Sequence, residues 1–118
     1  IKIDITLDEN KVPEKIMWSA PDGGVENEET KAVMVNVWEP KDQELLRIDL
    51  WTKDMPIDEM KKFYYQIYMS MAESYNRATN EEEMTTDMKD FARYFGEKQK
   101  LFLFLHLLLL PGYLQMPE

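Results

Sequence analysis

The sequence contains no cysteine and only one histidine, His106. Without cysteine the chain can form neither a disulfide framework nor a thiolate metal site. His106 lies in a leucine-rich run with no carboxylate beside it, and the rest of the chain lacks the commonest general base. We therefore expect a non-enzymatic protein with no catalytic residue, no bound cofactor and no metal.

Basic residues are also scarce, with 14 Lys and Arg against 23 Asp and Glu. The resulting net charge of −9 would repel the phosphates of nucleic acid, so nucleic-acid binding is excluded as an expected function. An acidic surface keeps a small protein soluble and is also suited to a basic protein partner.

The chain has no hydrophobic run long enough to span a membrane. Its longest run, residues 101–110, is half the roughly 20 residues that a spanning helix needs. Residues 1–7 alternate like a strand and do not resemble a secretory signal, so we expect a cytoplasmic protein, with peripheral association at the inner membrane left open. The run must pack on its own domain, lie in a membrane interface or be buried in an oligomer, and we favour packing or oligomerisation. Its Leu103 and Leu107 are candidate partner-binding residues.

Glycine is rare too. The chain also has two loops rich in side-chain oxygens, and neither has the ligand spacing of a known site. Gly23 and Gly24 do not form a phosphate-binding loop, because no helix start follows at the required distance. Residues 8–10 and 22–29 lack the alternating ligands and closing glutamate of an EF-hand. A metal-dependent binding module or enzyme built on these loops remains the alternative from another class.

Alternating apolar residues predict four strands, over residues 1–7, 15–20, 32–38 and 44–53. The acidic residues 26–29 are expected to continue a solvated loop. Because strands come first and helices second, we predict an α+β fold: a four-stranded antiparallel meander followed by two long amphipathic helices packed on one face.

The last two strands allow a specific register. Pairing Val37 with Leu46, Val35 with Ile48 and Val33 with Leu50 puts six apolar residues on one face and leaves a loop of about four residues. The opposite face then carries a second apolar group, which either the protein's own helices or a partner must cover. These candidate partner-binding residues are Met34, Trp38, Leu45 and Trp51.

Two helices follow. The first, over residues 56–78, is expected to bury a stripe that leaves Tyr65 and Tyr68 on other faces; the stripe is Met60, Phe63, Tyr64, Ile67, Met71, Tyr75 and Ala78. Asn80 and Glu83 resemble a capping box that opens the second helix, and Gly96 is a plausible stop for it. The second helix is expected to present Met84, Met88, Phe91, Ala92 and Phe95 on one face.

Six segments of the chain have a distinctive combination of residues, namely Leu7–Asn10, Val12–Ile16, Trp18, Asp22–Gly24, Leu46–Phe63 and Met88–Lys98. Together they resemble the GldC family of gliding motility-associated proteins of the Bacteroidetes. The resemblance covers about residues 1–99, which we take as a single domain, with residues 100–118 as a hydrophobic C-terminal tail. The tail departs from the family pattern, and a lineage-specific anchor or contact segment, a sequence error and vector-derived residues are the competing explanations.

The resemblance implies an accessory protein of the gliding apparatus, which in these bacteria is linked to type IX secretion. It implies protein partners from that machinery, with a homodimer as a further option, and supplies no catalytic or cofactor-binding residue. A small acidic chaperone or adaptor for an envelope or secreted client is the alternative among binding proteins.

Overall fold

The structure is a computed structural model that describes residues 1–101, and it has the predicted α+β composition. The chain divides into two compact units, Ile1–Met55 and the residues from Pro56 onward. The first unit holds five strands, and the second, as far as residue 101, holds two helices. The elements are β1 (Lys2–Leu7), β2 (Pro13–Ala20), β3 (Val25–Thr30), β4 (Ala32–Glu39), β5 (Glu44–Trp51), α1 (Ile57–Thr79) and α2 (Glu82–Lys98).

The predicted four-stranded meander is wrong, because the strands form two separate sheets. One sheet has the order β1–β2–β3 and the other consists of β4 and β5 alone. The difference comes from residues 26–29, which belong to strand β3 and not to a loop. β3 is an edge strand, and its acidic side chains are exposed. Their charge therefore does not prevent the pairing of β3 with β2, and it discourages other strands from pairing with the outer edge of β3.

A bulge in β3 accompanies this pairing. Asn27 has a φ of 47°, and its amide donates a hydrogen bond to Ser19 Oγ at 3.0 Å. The register between β2 and β3 shifts at the same place, between Trp18 and Ala20. Asparagine tolerates this left-handed conformation better than most residues, so the sequence suits the bulge.

The predicted register of the β4–β5 hairpin is confirmed. Val37 lies opposite Leu46, Val35 opposite Ile48 and Val33 opposite Leu50. Glu39 and Glu44 close the hairpin, so its loop has the expected four residues, 40–43. In this loop the Glu39 carboxylate accepts hydrogen bonds from the amides of Lys41 and Asp42, at 3.0 and 2.7 Å.

Hydrogen bonds at the base of the hairpin connect it to the three-stranded sheet. The Thr52 amide donates to the Lys31 carbonyl at 2.8 Å, which extends the β4–β5 pairing by one residue pair. The next amide, that of Lys53, donates in the other direction to the Pro13 carbonyl of β2 at 3.1 Å. The hairpin is therefore held at its base, and its loop end projects away from these bonds.

The second unit is a helical hairpin whose core differs from the predicted stripe. Tyr65, Met69 and Ala92 form the buried cluster, and Tyr68, Phe95 and Leu101 pack against it. Placing Tyr65 and Tyr68 on other faces of α1 was therefore wrong. The buried residues of α2 are small, namely Thr85, Ala92 and Gly96. Small residues let the helices approach closely, so the large side chains of α1 fill the space between them.

The capping box at Asn80 and Glu83 was also wrong. Asn80 ends α1 in the left-handed conformation, with its amide donating to the Asn76 carbonyl at 2.8 Å. The residue preceding α2, Glu81, makes no capping bond with its side chain and instead accepts a hydrogen bond from the Tyr75 hydroxyl at 2.6 Å. Asparagine is common both at helix starts and in left-handed helix ends, and here the second preference decides.

Gly96 does not stop α2, because the helix continues to Lys98 with this glycine buried. The helix ends instead with Lys100 in the left-handed conformation, φ 56°. The Lys100 amide donates to the Glu97 carbonyl and the Leu101 amide to the Gly96 carbonyl, which is a Schellman motif. The predicted partner residues Leu103 and Leu107, with the rest of 102–118, lie outside the described residues.

Candidate functional site

The loop end of the β4–β5 hairpin carries Trp38, the most exposed large apolar side chain of the first unit's two-stranded sheet. Trp38 is 62% exposed and lies directly opposite Leu45, which is about half-exposed. These residues sit on either side of the four-residue loop, at the end of the hairpin away from its bonds to β2. We call Trp38 and Leu45 the tip pair.

The four residues predicted for this site share one face of the hairpin but form two groups. Trp51 lies opposite Ala32, and Met34 is diagonal to it near the base. Polar side chains separate this base group from the tip pair. They are Asn36, Arg47 and Asp49, and Arg47 Nε lies 3.3 Å from Asp49 Oδ2.

The other face of the hairpin is also exposed, which the sequence analysis did not predict. Val37, Leu46 and Ile48 are each more than half-exposed, whereas Val33, Val35 and Leu50 nearer the base are partly buried. The sequence analysis missed this because it placed β4 and β5 in one four-stranded meander, whereas a separate two-stranded sheet has few neighbouring strands to shield its faces.

Asp8, in the first oxygen-rich segment, has structural partners. Asp8 Oδ1 accepts hydrogen bonds from the amides of Asn10 and Val12 at 2.8 and 3.0 Å, and Lys53 Nζ lies 3.1 Å from Asp8 Oδ2. The Val12 amide and the Lys53 ammonium lower the pKa of Asp8. This carboxylate therefore stabilises its own turn and the base of the hairpin.

The second segment begins in a short helical turn at Pro21–Gly23. Gly24 follows with a φ of 76°, and its amide donates to the Pro21 carbonyl at 3.0 Å. Outside both segments, Asp54 accepts hydrogen bonds from the Thr52 hydroxyl at 2.6 Å and from Lys31 Nζ at 2.9 Å. The Thr52 hydroxyl, followed by Lys31, lowers the pKa of Asp54.

Metal binding and membrane spanning can each be compared with the arrangement of residues 1–101. This part of the chain brings together no group of three or more histidine, cysteine, aspartate or glutamate side chains that could hold a metal ion. Within the same residues, neither α1 nor α2 is long and apolar enough to cross a membrane. The exposed hairpin is therefore the feature from which we argue function.

Comparison with known proteins gives one match. No curated protein and no solved structure matches the chain. Residues 13–101, more than half of the chain, match the family model described as gliding motility-associated protein GldC-like. This range includes strands β2 to β5 and both helices, and so contains the whole exposed hairpin. The chain therefore belongs to the GldC-like family of gliding motility-associated proteins.

Proposed function

We propose that this protein is a non-enzymatic accessory component of the gliding motility apparatus that acts through protein–protein contacts. We further propose that it works with the linked type IX secretion machinery at the cytoplasmic side of the inner membrane. The family membership supports the setting in gliding motility. The exposed loop end of the β4–β5 hairpin supports the mode of action.

The single observation that carries this proposal is the exposure of the tip pair. Trp38 and Leu45 lie side by side on the hairpin with more than half of each side chain in solvent. Tryptophan is the residue type most enriched at the energetic centres of protein interfaces, because it buries a large area with little loss of conformational freedom. A paired Trp and Leu at the end of a projecting hairpin can fill a pocket in a partner.

The charges around the tip pair add a preference for the partner. Glu39, Asp42 and Glu44 lie within or beside the hairpin loop, against one lysine, Lys41. Charged groups at the rim of an interface set which partners approach productively. We therefore propose a partner surface with an apolar pocket and a basic rim.

Gene replacement in a gliding bacterium tests the proposal. The double variant Trp38→Ser/Leu45→Ser should reduce colony spreading and secretion of type IX cargo while the protein remains at its normal level. The matched control is Met84→Ser/Tyr94→Ser, which removes two similarly exposed apolar side chains from α2. This control should leave spreading and secretion unchanged.

Two outcomes would overturn the proposal. Normal spreading of the hairpin variant would remove the tip pair as the partner surface, and normal spreading after deletion of the whole gene would remove the role in gliding. A photo-crosslinker at position 38 separates the adaptor alternative: a machinery component should be captured, whereas a chaperone would capture many unrelated extended clients.

A further inference from the structure

Strand β5 has one edge that pairs with β4 and one edge that, from Glu44 to Trp51, pairs with no other strand of the described residues. In an antiparallel pair, opposed residues alternate between those that exchange hydrogen bonds and those that do not. Because the Thr52 amide bonds to the Lys31 carbonyl, the residues at steps of two from Thr52 direct their main-chain groups toward β4. These residues are Leu50, Ile48 and Leu46.

The intervening residues of β5 direct their amides and carbonyls toward the open edge. They are Leu45, Arg47, Asp49 and Trp51, and the Lys53 amide, next in this series, indeed donates away from β4 to Pro13. Within residues 1–101, β5 belongs to a sheet with β4 alone. An edge of this kind is a template for another strand.

We propose that a second copy of this chain occupies this edge, with β5 pairing antiparallel to the β5 of the other copy about a two-fold axis through Ile48. This pairing does not depend on the proposed function in gliding. In an antiparallel pair about Ile48, each residue lies opposite the one equally far on the other side of position 48.

The sequence of β5 is complementary to itself in this register. Arg47 lies opposite Asp49 of the second copy, so two ion pairs form across the axis. Leu46 lies opposite Leu50, Leu45 opposite Trp51, and Ile48 opposite its own counterpart. Every apolar residue from 45 to 51 therefore meets an apolar residue and every charge meets the opposite charge, which is the pattern that stabilises cross-strand pairs.

Neighbouring registers lack this complementarity. An axis through Arg47 or through Asp49 places that residue opposite itself, with like charges in contact. Moving the axis to Leu46 sets Leu45 against Arg47, and moving it to Leu50 sets Arg47 against Lys53. An axis between two residues would place the outward-facing main-chain groups of one copy opposite residues of the other copy whose main-chain groups already bond to β4. The hydrogen bonds between the two copies could then not form.

The outer edge of β4 is the competing site for a second copy, and it fits less well. Its outward residues are Ala32, Met34, Asn36 and Trp38, the alternate positions to those that bond to β5. A two-fold axis through Val35 would set Met34 against Asn36 and provide no ion pair. Charge complementarity therefore favours β5.

The proposed dimer also enlarges the sheet to which the exposed faces of the hairpin belong. Four strands in the order β4–β5–β5–β4 form a larger sheet, and two-stranded ribbons gain stability from such extension. In each half of this sheet, Trp38 and Leu45 of one copy and Trp51 of the other copy lie in one row across the strands. The tip pair thereby becomes part of a larger apolar surface.

Single-cysteine variants of the full chain test the register, because the natural sequence has no cysteine. Ile48→Cys should form an interchain disulfide under mild oxidation, since opposed residues without mutual hydrogen bonds bring their Cβ atoms within about 5 Å. Leu46→Cys is the matched control, with 53% exposure against 54% for Ile48 in the same strand and on the same face. In the proposed register Leu46 lies opposite Leu50, so the two introduced cysteines would be four residues apart along the strands. The Leu46→Cys variant should therefore crosslink at least about tenfold more slowly.

Charge reversal tests the ion pairs by sedimentation at several concentrations. Arg47→Asp should weaken the dimer by about tenfold or more, and Arg47→Asp/Asp49→Arg should restore it, because opposite charges again face each other. Lys2→Asp is the control, since Lys2 pairs with Asp4 at the same spacing in β1, with 3.6 Å between Nζ and Oδ2. A monomeric natural chain, equal crosslinking by both cysteine variants, or a dimer insensitive to Arg47→Asp would overturn the proposal.

Discussion

Asp8 and Lys53, 45 residues apart in the sequence, form an ion pair with 3.1 Å between Asp8 Oδ2 and Lys53 Nζ. The pair connects the turn after β1 to the segment that follows β5. The other Asp8 oxygen accepts two amides of its own turn, and the Lys53 amide bonds to Pro13 of β2. One carboxylate and one lysine therefore hold the turn, the three-stranded sheet and the base of the hairpin together.

This arrangement predicts a loss of stability in acid. The Val12 amide and Lys53 lower the pKa of Asp8 in the folded state, so folding favours its ionised form. That stabilisation is present above the ordinary pKa of about 3.8 and disappears as the pH falls through the lowered folded value. Asp8→Asn should therefore be less stable than the natural chain at neutral pH, and the difference should shrink toward about pH 2.

Urea unfolding followed by tryptophan fluorescence measures this difference, because all three tryptophans lie in the first unit. Asp22→Asn serves for comparison, since Asp22 is exposed in a short turn. Because this exposed side chain makes no contact that the substitution would remove from the hairpin base, the free energy of unfolding of this variant at neutral pH should be close to that of the natural chain. A constant difference between Asp8→Asn and the natural chain across the pH range would contradict the ionic explanation.

Thr52 is buried and donates its hydroxyl to Asp54 at 2.6 Å, so Thr52→Val should raise the pKa of Asp54 toward its ordinary value. Lys31 remains as the second partner, so the pKa should stay below that of a free carboxyl. Carbon-detected NMR titration of the Asp54 carboxyl measures this directly. Thr52→Ser keeps the hydroxyl and should keep the low pKa; an unchanged pKa in Thr52→Val would assign the shift to Lys31 alone.

Two methionines of α1 provide a matched test of the helical core. Met69 is 1% exposed between the helices, whereas Met71, two residues later, is 40% exposed. Met69→Ala should cost about 2–4 kcal/mol of unfolding free energy because it leaves a cavity. Met71→Ala should cost less than about 1 kcal/mol. Far-ultraviolet circular dichroism during urea unfolding reports on both variants, and equal losses would contradict the observed core.

The β4–β5 register was predictable because its signals are local and mutually consistent. Pairing Val37 with Leu46 leaves a loop of ordinary hairpin length. A shift of one residue in this pairing would have exchanged the valine face for the tryptophan face. The turn residues Pro40 and Asp42 point to the same arrangement. Two independent local constraints therefore selected one pairing, and the placement of Trp38 and Leu45 on one face followed from it.

The errors have a shared cause, which is that tertiary partners decide between two locally acceptable structures. Residues 26–29 suit a loop by charge, yet they can pair with β2 because their side chains remain in solvent at the sheet edge. The prediction took the stripe of large apolar residues as the buried face of α1, but the buried face carries Tyr65 and Ala72. The small residues of α2 determine which face packs, and helix periodicity alone does not contain that information.

The hairpin loop offers a last prediction, at Gln43, which adopts a φ of 55°. A side chain with a Cβ atom is strained by about 1 kcal/mol in this left-handed region, and glycine removes that strain. Gln43→Gly should therefore raise the free energy of unfolding by up to about 1 kcal/mol, with Gln43→Asn intermediate and Gln43→Val lower than the natural chain.

Lys41→Gly, two residues earlier and without a positive φ, should instead destabilise the first unit because glycine only adds freedom to the unfolded chain. Tryptophan fluorescence during urea unfolding ranks the four variants, and a stabilising Gln43→Val would show that the loop does not hold this conformation in solution.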